Sequence, residues 1–476
     1  METKTDKPVA ERLSEFLSRL TPAAAIKLAS GLERERLRGG SILPYDLILS
    51  SLRPVLRRAA GERPGVAAPM RQFCLPFEGL LAETRDPSLH RRQILRASVQ
   101  PVWSWIETDL LPDTLPDLSR RAAEHTLNGD NAALFGTLDV MHAACSSAML
   151  QALDASRRDA AQRKKLEQQL GGEEVLDDAR IMAEALAVAP HMLAMQLSLP
   201  KRIDDFDDGL AALVGEAYEE AQESSPVHAI YVPLGVIGRL EKPWQILRLA
   251  RKLSGLGNEA AVARSGLAEL GEIFLGELED IARCFEVRRP GKKTDLDYML
   301  KRVSRFAEIS HGFVHEIDIR RVSEWGHRIL AARARLSTAI AEEMARFEHD
   351  LARALPLHQI GSYGKTGPRR PDVTVAPNFE QAERVASALR FIAGVCPAAE
   401  TIGVQSHCKT VGQQVETYLN GYEDGLIEEI RRSGGRERAN ATAFLDIVIG
   451  FRQALGETTM AETLRRRGKV AASQAS

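Results

Sequence analysis

Aromatic residues make up only 5% of this 476-residue chain. Alternating Val/Ile/Thr-rich stretches, the pattern of half-buried strands, are nearly absent, which excludes a mainly β architecture. Cysteines number five, an odd count, widely spaced at Cys74, Cys145, Cys284, Cys396 and Cys408 with no CxxC pair. This usage argues against a disulfide framework and for a reducing compartment. No run approaches the ~18 consecutive apolar residues expected of a spanning helix. The longest uncharged apolar run, Val227–Gly238, is short and contains Pro233. The first residues, METKTDKPVAERLSEF, are charged and hold no apolar stretch of signal-peptide type. A cytoplasmic location is the expectation. Neither a G-x-S-x-G elbow nor a G-x-G-x-x-G turn after a strand is found, so hydrolase and dinucleotide-enzyme readings lose their usual support.

What is present favours helices. The chain is 44% hydrophobic and 27% charged, the balance of an ordinary globular protein with a sizeable core. Ala, Leu, Glu and Arg are abundant, and such side chains lose little freedom in a helix. The net charge is −2, but charge is segregated. Residues 1–100 carry 17 Lys/Arg against 11 Asp/Glu, whereas residues 101–200 carry 8 against 15. The N-terminal segment could therefore be attracted to the acidic middle, within or between chains.

The predicted fold is all-α, an irregular multi-helix bundle or solenoid with long central helices and a C-terminal helical bundle. No fixed-period repeat marks a regular array. Residues 1–127 read as short helices, among them Pro22–Leu37 and Tyr45–Ala60. Residues 128–355 read as long helices. Leu134, Leu138, Met141, Cys145, Ala148 and Ala152 form a seam at 4-3-4-3-4 spacing on a helix predicted over 129–170. Pro190 is a predicted kink in a helix over 173–199. From 295 to 355 one apolar stripe (Leu296, Met299, Val303, Phe306, Phe313) gives way to another (Trp325, Ile329, Leu336, Ile340, Phe347, Leu351). A bend near His311-Gly312, or a change of packing partner, would explain the shift. Residues 356–378 are a glycine- and proline-bearing basic loop or linker. Residues 379–467 form a three-helix bundle, and 468–476 a disordered tail.

Pro356–Asn378 contains Gly364-Lys365-Thr366, which ends like a phosphate-binding loop. The match fails because Gln359 stands where the pattern needs glycine, and a helix precedes it instead of a strand. Lys365, Arg369 and Arg370 remain candidates for an anion or an acidic partner, against the plainer reading of a solvated linker. The acidic run Asp204-Asp205-Phe206-Asp207-Asp208 offers Asp204, Asp205 and Asp208 as divalent-metal ligands, but acids after Pro200 also suit a helix start. His311 and His315, four apart, could share a metal on one helix face. If their helix is continuous they lie on the downstream apolar stripe, and buried structural histidines are the simpler account. Arg239–Leu256 places Trp244, Arg248 and Arg251 opposite an apolar face of Ile246, Leu249, Leu253 and Leu256. With Ile230–Gly238 before it, this resembles an interfacial helix beside a membrane-dipping loop, or a protein hot spot.

The function expected is a cytoplasmic helical scaffold or adaptor acting through protein partners or self-association, with no catalytic activity evident, no cofactor and no nucleic-acid partner. One alternative is an all-α metal-dependent enzyme using Asp204/Asp205/Asp208 or His311/His315. Another is peripheral membrane association through Ile230–Leu256.

Overall fold

Local signals set the helix starts. In the computed structural model, residues 13, 16–17, 20–37, 43–58, 68–85, 92–286, 296–359 and 369–474 are described. The fold is all-α. Among the described residues the named strands are two short pairs, one parallel and one antiparallel. The chain forms two compact units, one running to Leu249 and the other from Ala250 onward.

The first unit begins with α1 (Pro22–Leu37) and α2 (Tyr45–Arg58), which share a small core of Ala25, Leu32, Leu52 and Val55. Then come α3 (Pro69–Cys74), a 3-10 turn (Leu75–Leu80), β1 (Leu81–Ala82), β2 (Ile94–Leu95) and α4 (Arg96–Trp105). Helix α5 is Thr114–Asn128. The helix predicted over 129–170 is two: α6 (Asn131–Arg158) and α7 (Ala160–Leu170). Asp159 breaks it with an extended backbone, and its carboxylate accepts from the Ala161 amide at 2.8 Å, capping α7. The predicted seam is real but rotated towards Met149 and Leu153, which are buried with Leu138, Met141 and Cys145. Helices α8 (Glu173–Leu186) and α9 (Ala189–Ser198) meet at 78°, with Pro190 in the first turn of α9 as a proline at a helix start should be. Helix α10 (Asp208–Ser224), α11 (Tyr231–Ile237), a 3-10 turn (Pro243–Ile246) and α12 (Leu247–Leu253) follow, the unit boundary falling within α12 after Leu249.

The second unit holds α13 (Glu259–Val262), α14 (Ala268–Glu286), α15 (Leu296–Glu316) and α16 (Glu324–Ala354). Both predicted stripes are buried, with Leu296 and Ile329 at their margins. The break between them is not at His311-Gly312. It falls after Glu316, where the Asp318 amide donates to the Gly257 carbonyl at 3.0 Å and Ser323 caps α16 through the Gly326 amide. Strands β3 (Leu357–Gln359) and β4 (Arg369–Pro371) pair antiparallel. The expected loop or linker thus has paired ends, and its middle lies outside the described residues. Helix α17 (Phe379–Val395), α18 (Ala399–Ile402), α19 (Gln405–Arg432), α20 (Gly435–Ala454) and α21 (Thr458–Gln474) complete the chain. The expected disordered tail is helical through Gln474: Ala461, Leu464, Gly468 and Ala471 are its buried face. Gly456, at φ 81°, supplies the left-handed turn that separates α20 from α21.

One expectation about length is corrected. Averaged over 18 residues, α6 and Phe379–Ile402 reach mean hydropathies of 1.2 and 1.3 and are long enough to cross a membrane. Neither is an uninterrupted apolar run, and each packs on other helices of its own unit.

Candidate functional site

The acidic run of the first unit is exposed at all four aspartates, with Phe206 buried among them. Asp207 caps α10, its carboxylate accepting from the Leu210 amide at 2.8 Å. Asp204 pairs with Arg202 at 3.2 Å, and Asp205 accepts from Gln245 at 3.2 Å. Asp208 opens the first turn of α10. The run therefore carries a helix start, and its carboxylates diverge towards separate partners.

The proposed interfacial face is turned inward. Trp244 is buried, and so are Ile230, Tyr231, Val232, Leu234, Val236 and Ile237. Arg248 donates to the Phe206 carbonyl at 2.6 Å. Within the predicted stripe only Leu256 is well exposed. From Ile230 to Leu249 the apolar residues that would have to enter a bilayer are part of the core of the first unit. Sequence periodicity identifies an apolar face but not which side of the protein it meets. Arg251 belongs to the second unit, where it lies 3.5 Å from the buried carboxylate of Glu316.

The histidines also depart from expectation. His311 and His315 are both exposed, because α15 ends one residue after His315 and the downstream stripe starts on a new helix. Their rings lie 5.7 Å apart, and His315 Nδ1 is 3.3 Å from Glu316 Oε1. Among the described residues no group of three or more His, Cys, Asp or Glu side chains is placed to hold a metal ion. Arg370 lies 3.5 Å from Glu428 and 3.6 Å from Glu429, pinning β4 to α19, whereas Arg369 is exposed. Lys365 and the Gly-Lys-Thr triplet lie outside the described residues.

Buried polar networks hold both units. In the first, the fully buried Asp178 accepts from Ser98 Oγ at 2.6 Å, from the Leu95 amide at 3.1 Å and from Arg85. Burial raises the Asp178 pKa, and these donors oppose that shift. Tyr231 donates to Glu184 at 2.6 Å and receives a hydrogen bond from Arg92 at 2.7 Å. These cations of the N-terminal segment pair with acids 92 and 93 residues later, which gives the charge segregation a local use. In the second unit Arg305 grips Glu277 through two nitrogens at 2.7 and 3.2 Å. Arg452, 1% exposed, donates to Glu423, Glu457 and Asn420 at 2.6–2.7 Å. Each carboxylate faces donors already in place, an arrangement that fixes helices instead of activating a proton or nucleophile.

No known protein family, curated protein or solved structure matches this chain. Function therefore rests on the surface features. One was missed in the sequence. It is a cleft of about 330 Å³ between α16 and α19, floored by Met344 and Val411 and rimmed by Glu348, His407 and Gln414. It joins residues some 60 positions apart, and no local pattern announces it.

Proposed function

We propose that this protein is a helical scaffold or adaptor that works by binding a protein partner or a second copy of itself. The observation that supports this reading best is the α16–α19 cleft. It is open, and apolar at its floor where Met344 and Val411 are buried. Its rim is polar, with Gln414 donating to Glu348 at 3.5 Å. An apolar groove with a polar border between two helices is the kind of surface that receives an amphipathic helix of a partner.

The test fills the cleft. Ala345 and Thr410 are exposed within it, so Ala345→Arg with Thr410→Arg obstructs the groove without touching the core. Light scattering over a range of concentrations reads self-association, and affinity purification from the native host reads other partners. Binding by the natural protein that falls at least tenfold in the double variant, but not in Thr463→Arg on the exposed face of α21, supports the reading. A strict monomer that captures nothing, or equal capture by both proteins, overturns it.

A further inference from the structure

Of the four large apolar side chains at least 75% exposed among the described residues, three belong to one corner of the second unit: Leu256, Val314 and Val322. Exposed apolar residues scattered singly need no account, but a group of them does. Two distant segments build the corner. The Asp318 amide donates to the Gly257 carbonyl at 3.0 Å, and the Glu259 amide to the Asp318 carbonyl at 3.2 Å, which knits the segments together. On the first segment, Gly255 and Gly257 take φ 74° and 64°, so the backbone turns in the left-handed region on both sides of Leu256 and leaves its side chain in solvent. On the second, Val314 stands in the last turn of α15, and Arg320–Ser323 forms a turn closed by the Ser323 amide donating to the Arg320 carbonyl at 3.0 Å. That turn is seated on α16, where Gly326 leaves no room for a side chain against the Arg320 carbonyl. Ser323 and the Trp325 amide both donate to Glu259, tying the turn back to the first segment. Both tips are held in place before any partner arrives, so presenting their side chains costs little further ordering.

The exposed charge around these tips is mainly positive. Lys252, Arg264, Arg320 and Arg321 are exposed, against Asp318 and Glu324. Arg320 and Arg321 directly precede Val322, and neither has an ion-pair partner among the described residues. Arg251, by contrast, is taken up by the buried Glu316.

We propose that this corner docks the second unit onto an anionic lipid surface. Leu256 and Val322 enter the boundary between headgroups and acyl chains, and Arg320 and Arg321 meet the negative headgroups. The inference is independent of the scaffold reading, because none of these residues lines the α16–α19 cleft. It also differs from the interfacial face expected around Trp244, which is buried. Exposure favours a bilayer over a protein partner. A protein hot spot works through anchors packed inside a ring of neighbours that excludes water. Aliphatic side chains three-quarters exposed on turn tips have no such ring, whereas lipid closes around a protruding group without a matching pocket. The unspent guanidinium groups beside them supply the attraction that brings the tips to a negative surface.

The test floats full-length protein through a density gradient with vesicles of phosphatidylcholine and phosphatidylserine, and with phosphatidylcholine alone. The expected result is flotation with the phosphatidylserine vesicles, weakening as salt is raised, and little with phosphatidylcholine. Arg320→Ser with Arg321→Ser should weaken binding roughly 30-fold, and Leu256→Ser with Val322→Ser at least ~10-fold. All four side chains are exposed, so thermal unfolding should be unchanged in both variants. Val227→Ser, which removes the fourth highly exposed apolar side chain on the first unit, should bind like the natural protein. Failure of the natural protein to float with phosphatidylserine overturns the proposal. So does full retention of flotation by Leu256→Ser with Val322→Ser, which would mean charge attraction from elsewhere on the surface. Capture of an acidic protein that depends on the same four side chains, without flotation, would assign the corner to a protein partner and overturn the lipid proposal.

Discussion

The two units keep their buried ionisable groups in different ways. In the second, the largest buried cation, Arg452, is surrounded by two carboxylates and an amide, and Glu277 by both arms of Arg305. In the first, His142 is fully buried inside α6 with one hydrogen bond, 3.1 Å from Nε2 to the Gln72 carbonyl. Its Nδ1 has no hydrogen-bond partner, and neither does the side-chain oxygen of Gln72. Both units thus store charge in closed pairs, and the first also keeps a titratable group neutral by burial. A closed pair fails when a partner is removed, and a neutral buried imidazole fails when a proton arrives. The units should therefore be separable by mutation and by acid.

Arg452→Met gives the largest expected effect. It leaves Glu423 and Glu457 without their shared cation, in a place where Glu423 is 7% exposed. Breaking one side of a buried ion pair costs ~3–5 kcal/mol. Amide exchange followed by mass spectrometry should show lost protection in α19, α20 and α21 and little change in α6 and α8. Loss spread equally over both units would break the comparison.

Acid should do the reverse. Burial lowers the His142 pKa from 6.5 to about 4, with the Gln72 hydrogen bond opposing weakly. The unfolded chain then takes up the proton first as pH falls. Stability is whole above pH 7 and declines between 6.5 and about 4, reaching a loss of ~2 kcal/mol by pH 5. Asp178 acts in the opposite sense, since its raised pKa means that protonation in the carboxylate range relieves a cost. Comparison with His142→Gln isolates the imidazole, because Asp178 shifts in the other sense. Exchange in α6 should accelerate as pH falls, and His142→Gln should flatten the dependence. A flat profile in the natural protein would contradict the neutral-imidazole picture.

Much of this fold was legible. Pro22–Leu37 was bounded by Thr21-Pro22 at its start, and the helix after Asn378 began where the proline-rich stretch stopped. The stripes of α15 and α16 were read correctly because 3.6 periodicity survives in a single strand of text. Breaks made by tertiary contact were not legible. Asp159 ends one helix and caps the next within an unbroken helical pattern, and the turn after Glu316 is stabilised by Asn258 and Asp318 across 60 residues. Site residues fared differently for the same reason. Trp244 and the apolar run before it looked like a membrane face, but burial is decided by which helices arrive on top. The corner between α18 and α19 depends on a left-handed Gly403, which the sequence shows only as one glycine among 35.

The smallest effect separates a cap from a site. Asp207 and Ser323 begin α10 and α16 in the same manner, one in each unit, each accepting from an amide three residues on. Replacing such a cap by alanine costs ~1 kcal/mol. Ser323 also donates to Glu259, whose other oxygen accepts from the Trp325 amide at 2.8 Å. Ser323→Ala therefore leaves a buried carboxylate short of a donor and should cost more than Asp207→Ala, by ~1 kcal/mol. Asp204→Ala, which removes only an exposed ion pair with Arg202, should fall within ~0.5 kcal/mol of the natural protein. Urea unfolding of the three variants ranks them directly. Were Asp204→Ala to destabilise as much as Asp207→Ala, and only with millimolar magnesium present, the acidic run would be a cation site after all, and the parallel between the two helix starts would be lost.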